Sequence, residues 1–299
     1  MFYTASNAKL QVNGNEILAS NAQLSLGTSI QPSYNIKQRN TNDYSASNGI
    51  GGQLSFNYYI TGRDYFKSFI TGQGEVPIKE SQTLSGNFGG LTFDSGYLTS
   101  YSVNFSANSS VVANATVTFF DQLSGNFSST NEAAPDGTQV LNCRNVDVTH
   151  YIPIENSTTS GVATQPEEFV AGTYNYVSEV KPVYLMNETK PSSVAFGPKV
   201  INMNFETDNP IGYLPVNGNE ARISVDLKNN EDAVVENFTC SGLLRQRDLA
   251  SAVGDYIKQS INVTQSSTQG TTVFVRSVID SYGASGCVGI GTTGSEGNI

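Results

Sequence analysis

The clearest pattern in the chain is an alternation of apolar and polar residues on either side of position 110. Val103 and Phe105 share one face of an extended segment, and the polar run SANSS follows them. Apolar and polar residues then alternate again from Ala113 through Val117 to Phe119. A period of two is typical of a strand with one buried face. The segment 100–125 therefore predicts a β-hairpin with a polar tip.

Alternating segments recur along the rest of the chain and predict further strands. They lie at 8–20, 21–30, 53–60, 83–98, 140–154, 173–187, 233–240 and 271–282. A second hairpin is also predicted. Its first strand carries the alternating apolar residues Ile201, Met203 and Phe205, and its second strand carries those at 221–225. Thr, Val, Tyr and Phe in runs, with Gly and Asn between them, favour strands and turns over helices.

Two short helices are predicted among these strands. In the segment 61–72, Thr61 would cap the first turn and Asp64 would stand three residues on, as in a capping box. The apolar stripe of this segment is interpreted as packing on the sheet and comprises Tyr65, Phe66 and Phe69. In the segment 245–261, apolar residues recur at helical spacing. They are Leu249, Val253, Tyr256 and Ile257.

The chain has 299 residues, enough for one large all-β domain or two ordinary ones. Residues 1–128 are predicted to form one β domain, and the turn-rich run 129–138 follows it. Residues 129–299 are predicted to form a second β-rich domain, either a distant duplication or an added outer domain. The expected fold class is mainly β, with antiparallel β-sandwich or barrel domains that each carry one short flanking helix.

A long polar loop is predicted between the second and third alternating segments, at residues 31–52. It contains large amphipathic side chains without a regular period: Tyr34, Ile36, Arg39 and Tyr44. Loops above about 15 residues inside a compact domain are usually functional or in contact with a partner. The amphipathic side chains favour a partner contact.

Charge is scarce and mostly acidic. Only 14% of the residues are charged, and the formal net charge is −10. A negative surface argues against nucleic-acid binding, because attraction to phosphates supplies most non-specific affinity. DNA would pass such a protein without specific binding, although an acidic surface also serves solubility alone.

Recognisable catalytic motifs are lacking. His150 is the single histidine, and no nucleophile or acid accompanies it at the spacing of a known triad. The acidic pairs at 167–168 and 231–232 leave a two-carboxylate glycosidase as an alternative, but the chain has no Trp for sugar stacking. The run GIGTTG at 289–294 has no room for the helix of a dinucleotide site. We expect no enzyme activity, metal or cofactor.

Targeting and redox features are also few. The start MFYTASNAKLQVNG lacks the basic and apolar regions of a signal peptide. No run approaches the roughly 18 apolar residues of a membrane span. Cys143, Cys240 and Cys287 are widely spaced, which predicts reduced structural thiols and no zinc site. Synthesis and residence in a cytoplasm, without membrane contact, are the expectation.

Two stretches together resemble virion structural proteins of tailed bacteriophages, in particular those of tail-tube type. They are NGIGGQLSFNYYITGRDYFKSFI and SGNFGGLTFDSGYLTSYSVNFSANSSVVANATVTFFDQLSG, and the likeness covers roughly residues 10–128. The shared order is strands, a polar loop, a strand entering a short helix, and a closing hairpin. The C-terminal part is similar only in general style.

The resemblance implies a structural protein of the virion, assembled in the host cytoplasm. Its copies would pair through sheet edges into rings of three or six chains, and the rings would stack beside other virion proteins. The 31–52 loop would be the contact between rings. The resemblance therefore gives as candidate subunit-interface residues Tyr34, Ile36, Arg39, Tyr44, Asn108 and Ser109. A neck, baseplate, capsid-decorating or receptor-binding protein is the alternative.

Overall fold

A computed structural model of the chain describes residues 9–28, 30–33, 43–46, 51–70, 83–120, 122–128, 140–151, 162–164, 169–186, 190–207, 220–250, 258–267 and 272–273. Strands make up most of these residues, so the expectation of a mainly β protein is confirmed. The strands are β1 (Leu10–Val12), β2 (Asn15–Glu16), β3 (Ala19–Gly27), β4 (Ile30–Ser33), β5 (Asp43–Ala46), β6 (Gly51–Tyr59), β7 (Leu84–Phe88), β8 (Leu91–Ser106), β9 (Val112–Phe119), β10 (Val146–Tyr151), β11 (Val162–Thr164), β12 (Phe169–Val183), β13 (Ser193–Thr207), β14 (Glu220–Lys228), β15 (Val234–Ala250), β16 (Lys258–Ser267) and β17 (Thr272–Val273).

Fifteen of these strands form one antiparallel sheet. From one end its order is β11, β10, β14, β15, β16, β13, β12 and β8. The sheet branches at β8, because the first half of this strand pairs with β7 and the second half with β9. One branch continues through β7 and β1 to β2, and the other through β9 and β6 to β3.

The hairpin predicted for residues 100–125 is confirmed, with its second strand ending at Phe119. β8 and β9 pair from Gly96 opposite Phe119 to Asn104 opposite Val112. At the tip, Asn108 has a φ of 61°, a left-handed conformation that Asn tolerates better than most residues. The predicted strand at 53–60 is confirmed as well, since β6 covers most of it.

The inner face of the sheet is aromatic and buried, and the sheet curves back on itself. The rings of Tyr101 in β8 and Phe238 in β15 are 6.5 Å apart, although three strands lie between them in the sheet order. Gly172 in β12 lies opposite both Phe105 and Phe205. A Cβ on Gly172 would lie 2.3 Å from the Phe205 ring, so only glycine leaves room for it.

Of the two predicted helices, the first exists only as a single turn. It is α1 (Lys67–Ile70), and its cap is Asp64 instead of Thr61. The Asp64 carboxylate accepts hydrogen bonds from the backbone N–H groups of Phe66 and Lys67, at 2.7 and 3.2 Å. The interpretation of the apolar stripe is confirmed, because the Phe66 ring is fully buried and lies 5.3 Å from that of Phe56 in β6.

The second helix prediction, at 245–261, is wrong. Residues 245–250 belong to β15 and 258–261 to β16, and the two strands pair from Leu243 opposite Thr264 to Ala250 opposite Lys258. Sheet pairing satisfies the backbone of both segments, and this tertiary context overrides the local helical spacing. Residues 251–257 lie outside the described residues, and they include Val253, Tyr256 and Ile257 of the predicted helix.

The second predicted hairpin is also wrong in its pairing. Both of its strands exist, but β13 pairs with β12 and β16, whereas β14 pairs with β10 and β15. Alternation predicts a strand and its buried face, but it does not select the partner. The division at residue 128 stays a prediction; strands from the two sides of it pair where β8 meets β12.

The predicted 31–52 loop contains some regular structure. β4 and β5 form a separate two-stranded antiparallel sheet in which Tyr44 lies opposite Pro32. The prediction of an irregular segment is therefore wrong for these residues. Tyr34, Ile36 and Arg39 lie outside the described residues.

Candidate assembly surfaces

The outer face of the sheet carries three rows of uncharged side chains, two of which cross seven strands and one of which crosses six. The middle row, from β3 to β16, is Asn21, Asn57, Asn114, Ser102, Asn175, Asn202 and Thr264. The row on one side is Gln23, Ser55, Thr116, Ser100, Val177, Val200 and Ser266. The row on the other side is Tyr59, Val112, Asn104, Thr173, Asn204 and Asn262. We call these three rows the polar face. None of its residues is charged.

Hydrogen bonds between side chains link neighbouring strands across the polar face. The Asn114 amide donates to the Ser102 hydroxyl at 3.1 Å, and the Thr264 hydroxyl donates to the Asn202 amide oxygen at 2.7 Å. The Ser55 and Thr116 hydroxyls lie 3.3 Å apart. Such cross-strand pairs stabilise a sheet and replace the charges usual on a solvent-facing side.

The polar face also accounts for two of the Asn-x-Ser/Thr triplets in the sequence. In a strand, residues two apart point to the same side. Asn114 and Thr116, and likewise Asn262 and Thr264, therefore stand next to each other on the outer face. These triplets follow from strand alternation and need no modification to explain them.

The strand β3 is the outermost strand of its branch, and among the described residues it pairs with β6 alone. Its sequence ASNAQLSLG has no charge and no proline, and the uncharged run extends from Ile17 to Ile36. Soluble proteins usually protect a sheet edge with charges, Pro or bulges. β3 has one irregularity, between Ala19 and Asn21, and the rest of the strand is regular. We call the unpaired side of β3 the β3 edge.

The predicted interface residues that can be located lie at two places. Asn108 and Ser109 form the hairpin tip, where the Ser109 hydroxyl donates to the Ser106 carbonyl at 2.7 Å. The tip borders a small cavity of 210 Å³ that Asn108 and Arg144 help to line. Tyr44 lies in β5, in the separate two-stranded sheet.

A largely buried charged cluster joins the segment after β6 to the start of β15. The Lys67 ammonium group donates to Glu236 Oε1 at 2.6 Å, and the Asp64 N–H donates to Glu236 Oε2 at 2.8 Å. The Tyr58 hydroxyl donates to Asp64 Oδ2 at 2.6 Å. Lys67 also lies 5.4 Å from the centre of the Phe238 ring, a cation–π geometry. We call Asp64, Lys67 and Glu236 the clamp.

Burial changes the acid–base behaviour of the clamp. It raises the pKa of Asp64, and the hydrogen bond from Tyr58 opposes that shift. Burial also raises the pKa of Tyr58, and the nearby Asp64 charge adds to the effect. Tyr101 is fully buried, and its pKa is raised by burial and then by the nearby Asp64 charge.

A cleft of about 860 Å³ lies over the clamp, lined by residues 15–18, 58–67 and 234–237. Three acidic residues, Glu16, Asp64 and Glu236, contribute to its lining, and glycosidases depend on a pair of carboxylates. However, the oxygens of Asp64 and Glu236 accept hydrogen bonds from Tyr58, Lys67 and backbone N–H groups. This favours a structural role for the clamp. Asp64 and Glu236 lie 172 positions apart in the sequence, so no local pattern predicted the clamp.

Among the described residues, the other candidate catalytic or metal-binding residues do not cluster into a site. Asp232, in the turn after β14, forms an ion pair of 2.9 Å with Lys228, and its side chain is 85% exposed. His150 lies in β10 opposite Ile223. The described residues include no group of three His, Cys, Asp or Glu that could hold a metal ion. The pair at 167–168 and the run 289–294 lie outside them.

Comparison with known proteins gives no relative from which a role could be transferred. No family model matches the chain, and no curated protein matches it. Among the described residues, no helix is long and apolar enough to cross a membrane.

Proposed function

We propose that the protein is a structural subunit of a tailed-phage particle whose copies associate through sheet edges into rings or a tube. The tail tube is the favoured component. In this proposal the curved sheet forms the wall of a β-sandwich or barrel, and the protein has no catalytic role. Its partners are further copies of itself and other virion proteins, it assembles in the host cytoplasm, and DNA passes it without specific binding.

The observation that carries the proposal is the β3 edge. It offers nine uncharged residues at the end of a large sheet, without the charges or proline that prevent association in a monomer. An edge of this kind is a template for another strand, and β-strand addition is a common mode of protein association.

The polar face supports the same proposal. The polar face lacks charges across up to seven strands of a chain whose net charge is −10. An uncharged surface also has little attraction for phosphates, which suits a wall along which DNA moves.

A neck, baseplate, capsid-decorating or receptor-binding protein is the second candidate, because the same edge would also serve a small closed oligomer. The candidate interface residues of the 31–52 loop and of the hairpin tip keep their proposed role in contacts between subunits. They are Tyr34, Ile36, Arg39, Tyr44, Asn108 and Ser109.

Electron microscopy of the purified full chain in negative stain, with mass from light scattering, tests the proposal. Rings or tubes with a central hole, built from three or six chains, are the expected result. A small oligomer without a lumen would favour the second candidate. A monomer at every concentration would contradict both.

The role of the loop is tested separately by the double variant Tyr34→Ala/Arg39→Ala. We expect folded subunits that form rings but do not stack, since Tyr and Arg dominate interface energies. Stacking equal to that of the wild type would show that the loop assignment is wrong.

A further inference from the structure

We infer that the β3 edge pairs antiparallel with the β3 edge of a second copy of this chain, around a two-fold axis at Leu24. The inference rests on the proposed function, because it names the partner of the edge that assembly would use. A two-fold contact is isologous, so both copies contribute the same residues. Such a contact cannot close a ring of three chains, so the inference selects the six-chain ring, in which three β3-paired dimers join through a second contact.

The first argument is the length of the strands available. The regular part of β3, Asn21–Gly27, pairs without interruption with Gly51–Asn57 of β6. A strand added on its other side needs a similar length to satisfy the same backbone groups. At the far ends of the described sheet, β11 has three residues and β2 has two. Within the described residues, the end strand that matches β3 in length is β3 itself.

The second argument is the match of faces. With the axis at Leu24, each Leu24 lies opposite the other Leu24, and Ala22 lies opposite Leu26. On the outer side, Gln23 lies opposite Ser25. Apolar side chains thus meet on the core side, where Leu26 is 46% exposed in the single chain, and polar side chains meet on the polar face.

Other registers give poorer pairs. Moving the axis by half a residue places Leu24 opposite Ser25, and a slip of this kind exchanges the two faces of a strand. Moving the axis to Gln23 keeps the faces, but it places Leu26 opposite Ser20, where the pairing of β3 is irregular. Moving the axis to Ser25 also keeps the faces and places Leu24 opposite Leu26, but it pairs only residues 23–27, whereas an axis at Leu24 pairs the whole regular segment 21–27. The apolar pattern and the length of the regular segment together select Leu24.

The third argument is charge. Two copies with a net charge of −10 repel each other over most of their surfaces. The run from Ile17 to Ile36 has no charge, so an approach along β3 brings no like charges together within that run. The contact would also continue the rows of the polar face from one subunit into the next.

Disulfide trapping tests this register. Residues directly opposite in an antiparallel pair have Cα atoms about 4.5–5.5 Å apart, within disulfide reach, whereas Cα atoms more than about 7 Å apart are not bridged. The double variant Gln23→Cys/Ser25→Cys is expected to form covalent dimers under mild oxidation. Each single variant alone is expected to stay near the wild-type level, which measures the background from the native cysteines.

A mixture of the two single variants sharpens the test. In an equal mixture about half of the pairs combine Gln23→Cys with Ser25→Cys, so about half of the yield of the double variant is expected. Trapping by either single variant alone at the level of the double variant would place the axis at that residue and overturn the register. Double-variant trapping at the wild-type level, with native circular dichroism, would overturn the contact itself.

Leu26→Lys in the double-cysteine background provides a second measurement, with Leu243→Lys as its matched control. Both leucines are about half exposed, and Leu243 lies in β15, between paired strands. Leu26→Lys is expected to abolish trapping, and Leu243→Lys to leave it unchanged. Equal trapping in both would overturn the inference.

The failure of this inference and the failure of the proposed function are distinguishable. Rings or tubes without β3 trapping would leave the proposed function standing and overturn the two-fold contact. Efficient trapping without any ring or tube would support the contact and contradict the proposed function.

Discussion

Strands β8 and β3 have the same alternation of polar and apolar residues, but they occupy opposite situations in the sheet. β8 has neighbours on both sides, and its inward residues Tyr101 and Val103 are fully buried. β3 has one neighbour among the described residues, and its inward residue Leu26 is about half exposed. Alternation therefore defines the faces of a strand, whereas its position in the sheet determines whether the apolar face is covered.

The difference separates stability from association. Side chains of β8 stabilise the fold of the single chain, and side chains of β3 are available to another chain. Substitutions in the two strands are expected to affect different measurements, and the following predictions are ordered by their expected effect on the free energy of unfolding.

The largest effect is expected for Phe105→Ala in β8. This ring packs against Phe205 and Phe238, with centroids 6.0 and 5.8 Å away. Its removal leaves a cavity in a buried core and is expected to cost about 3–5 kcal/mol, measured by urea unfolding. The adjacent Asn104→Ala, on the polar face, is the control and should change stability by less than about 0.5 kcal/mol. Equal costs would contradict the assignment of the two faces.

The next effect concerns the clamp. Lys67→Met leaves the Glu236 carboxylate buried without its cation, and breaking such a pair is expected to cost about 3 kcal/mol. The exposed pair Lys181–Glu179, at 2.8 Å, supplies the control. Lys181→Met should cost less than about 1 kcal/mol, because exposed ion pairs contribute little.

The double variant Lys67→Met/Glu236→Leu completes this test. It removes both charges together, so it should recover much of the stability that Lys67→Met loses. A double variant less stable than the single variant would show that Glu236 matters chiefly through its bond from the Asp64 N–H.

A smaller effect is expected from pH at Asp64. Its folded pKa is raised above the unfolded value, so the folded state binds the proton more tightly. The resulting stabilisation is fully present below the unfolded pKa of about 3.9, and it is lost as pH rises through the folded pKa. The stability of wild type relative to Asp64→Asn should therefore increase as the solution is acidified. A difference independent of pH, in urea unfolding at several pH values, would contradict the raised pKa.

The smallest effect on stability is expected for Leu26→Lys in β3. The side chain is partly exposed at an edge, so unfolding should change by less than about 0.5 kcal/mol. Association should nevertheless decrease, because lysine protects sheet edges. Sedimentation velocity compares the two properties directly: a folded variant with a smaller sedimentation coefficient is expected. An unchanged coefficient would place association elsewhere on the molecule.

The features that the sequence predicted correctly are local. The β8–β9 hairpin follows from two alternating runs joined by a short polar tip, so its partners are adjacent in the chain. The pairing of β13 with β16 and of β14 with β10 joins segments separated by long intervals, and alternation contains no information about it. The false helix at 245–261 has the same origin, because its strands are specified by pairing and not by their own periodicity.

The candidate surfaces were visible in the sequence to different degrees. The uncharged run from Ile17 to Ile36 and the repeated Asn-x-Ser/Thr triplets are readable signals for the β3 edge and the polar face. The clamp is not, because Asp64 and Glu236 meet only when β6 and β15 fold over the same core. Of the six predicted interface residues, Asn108 and Ser109 lie together at the hairpin tip and Tyr44 lies in β5, and their role stays a prediction.

The pairing of β8 with β12 has a consequence for the rate of folding. Ser100 lies opposite Val177, and Lys67 meets Glu236 across an even longer interval of chain. Proteins dominated by such distant contacts fold in milliseconds to seconds, more slowly than helical bundles.

The order of synthesis adds to this delay for β3. This strand pairs with β6 and is synthesised long before β15 and β16. Its uncharged edge therefore stays available to other nascent chains throughout synthesis, so we expect the yield of native protein to fall as expression rate and temperature rise.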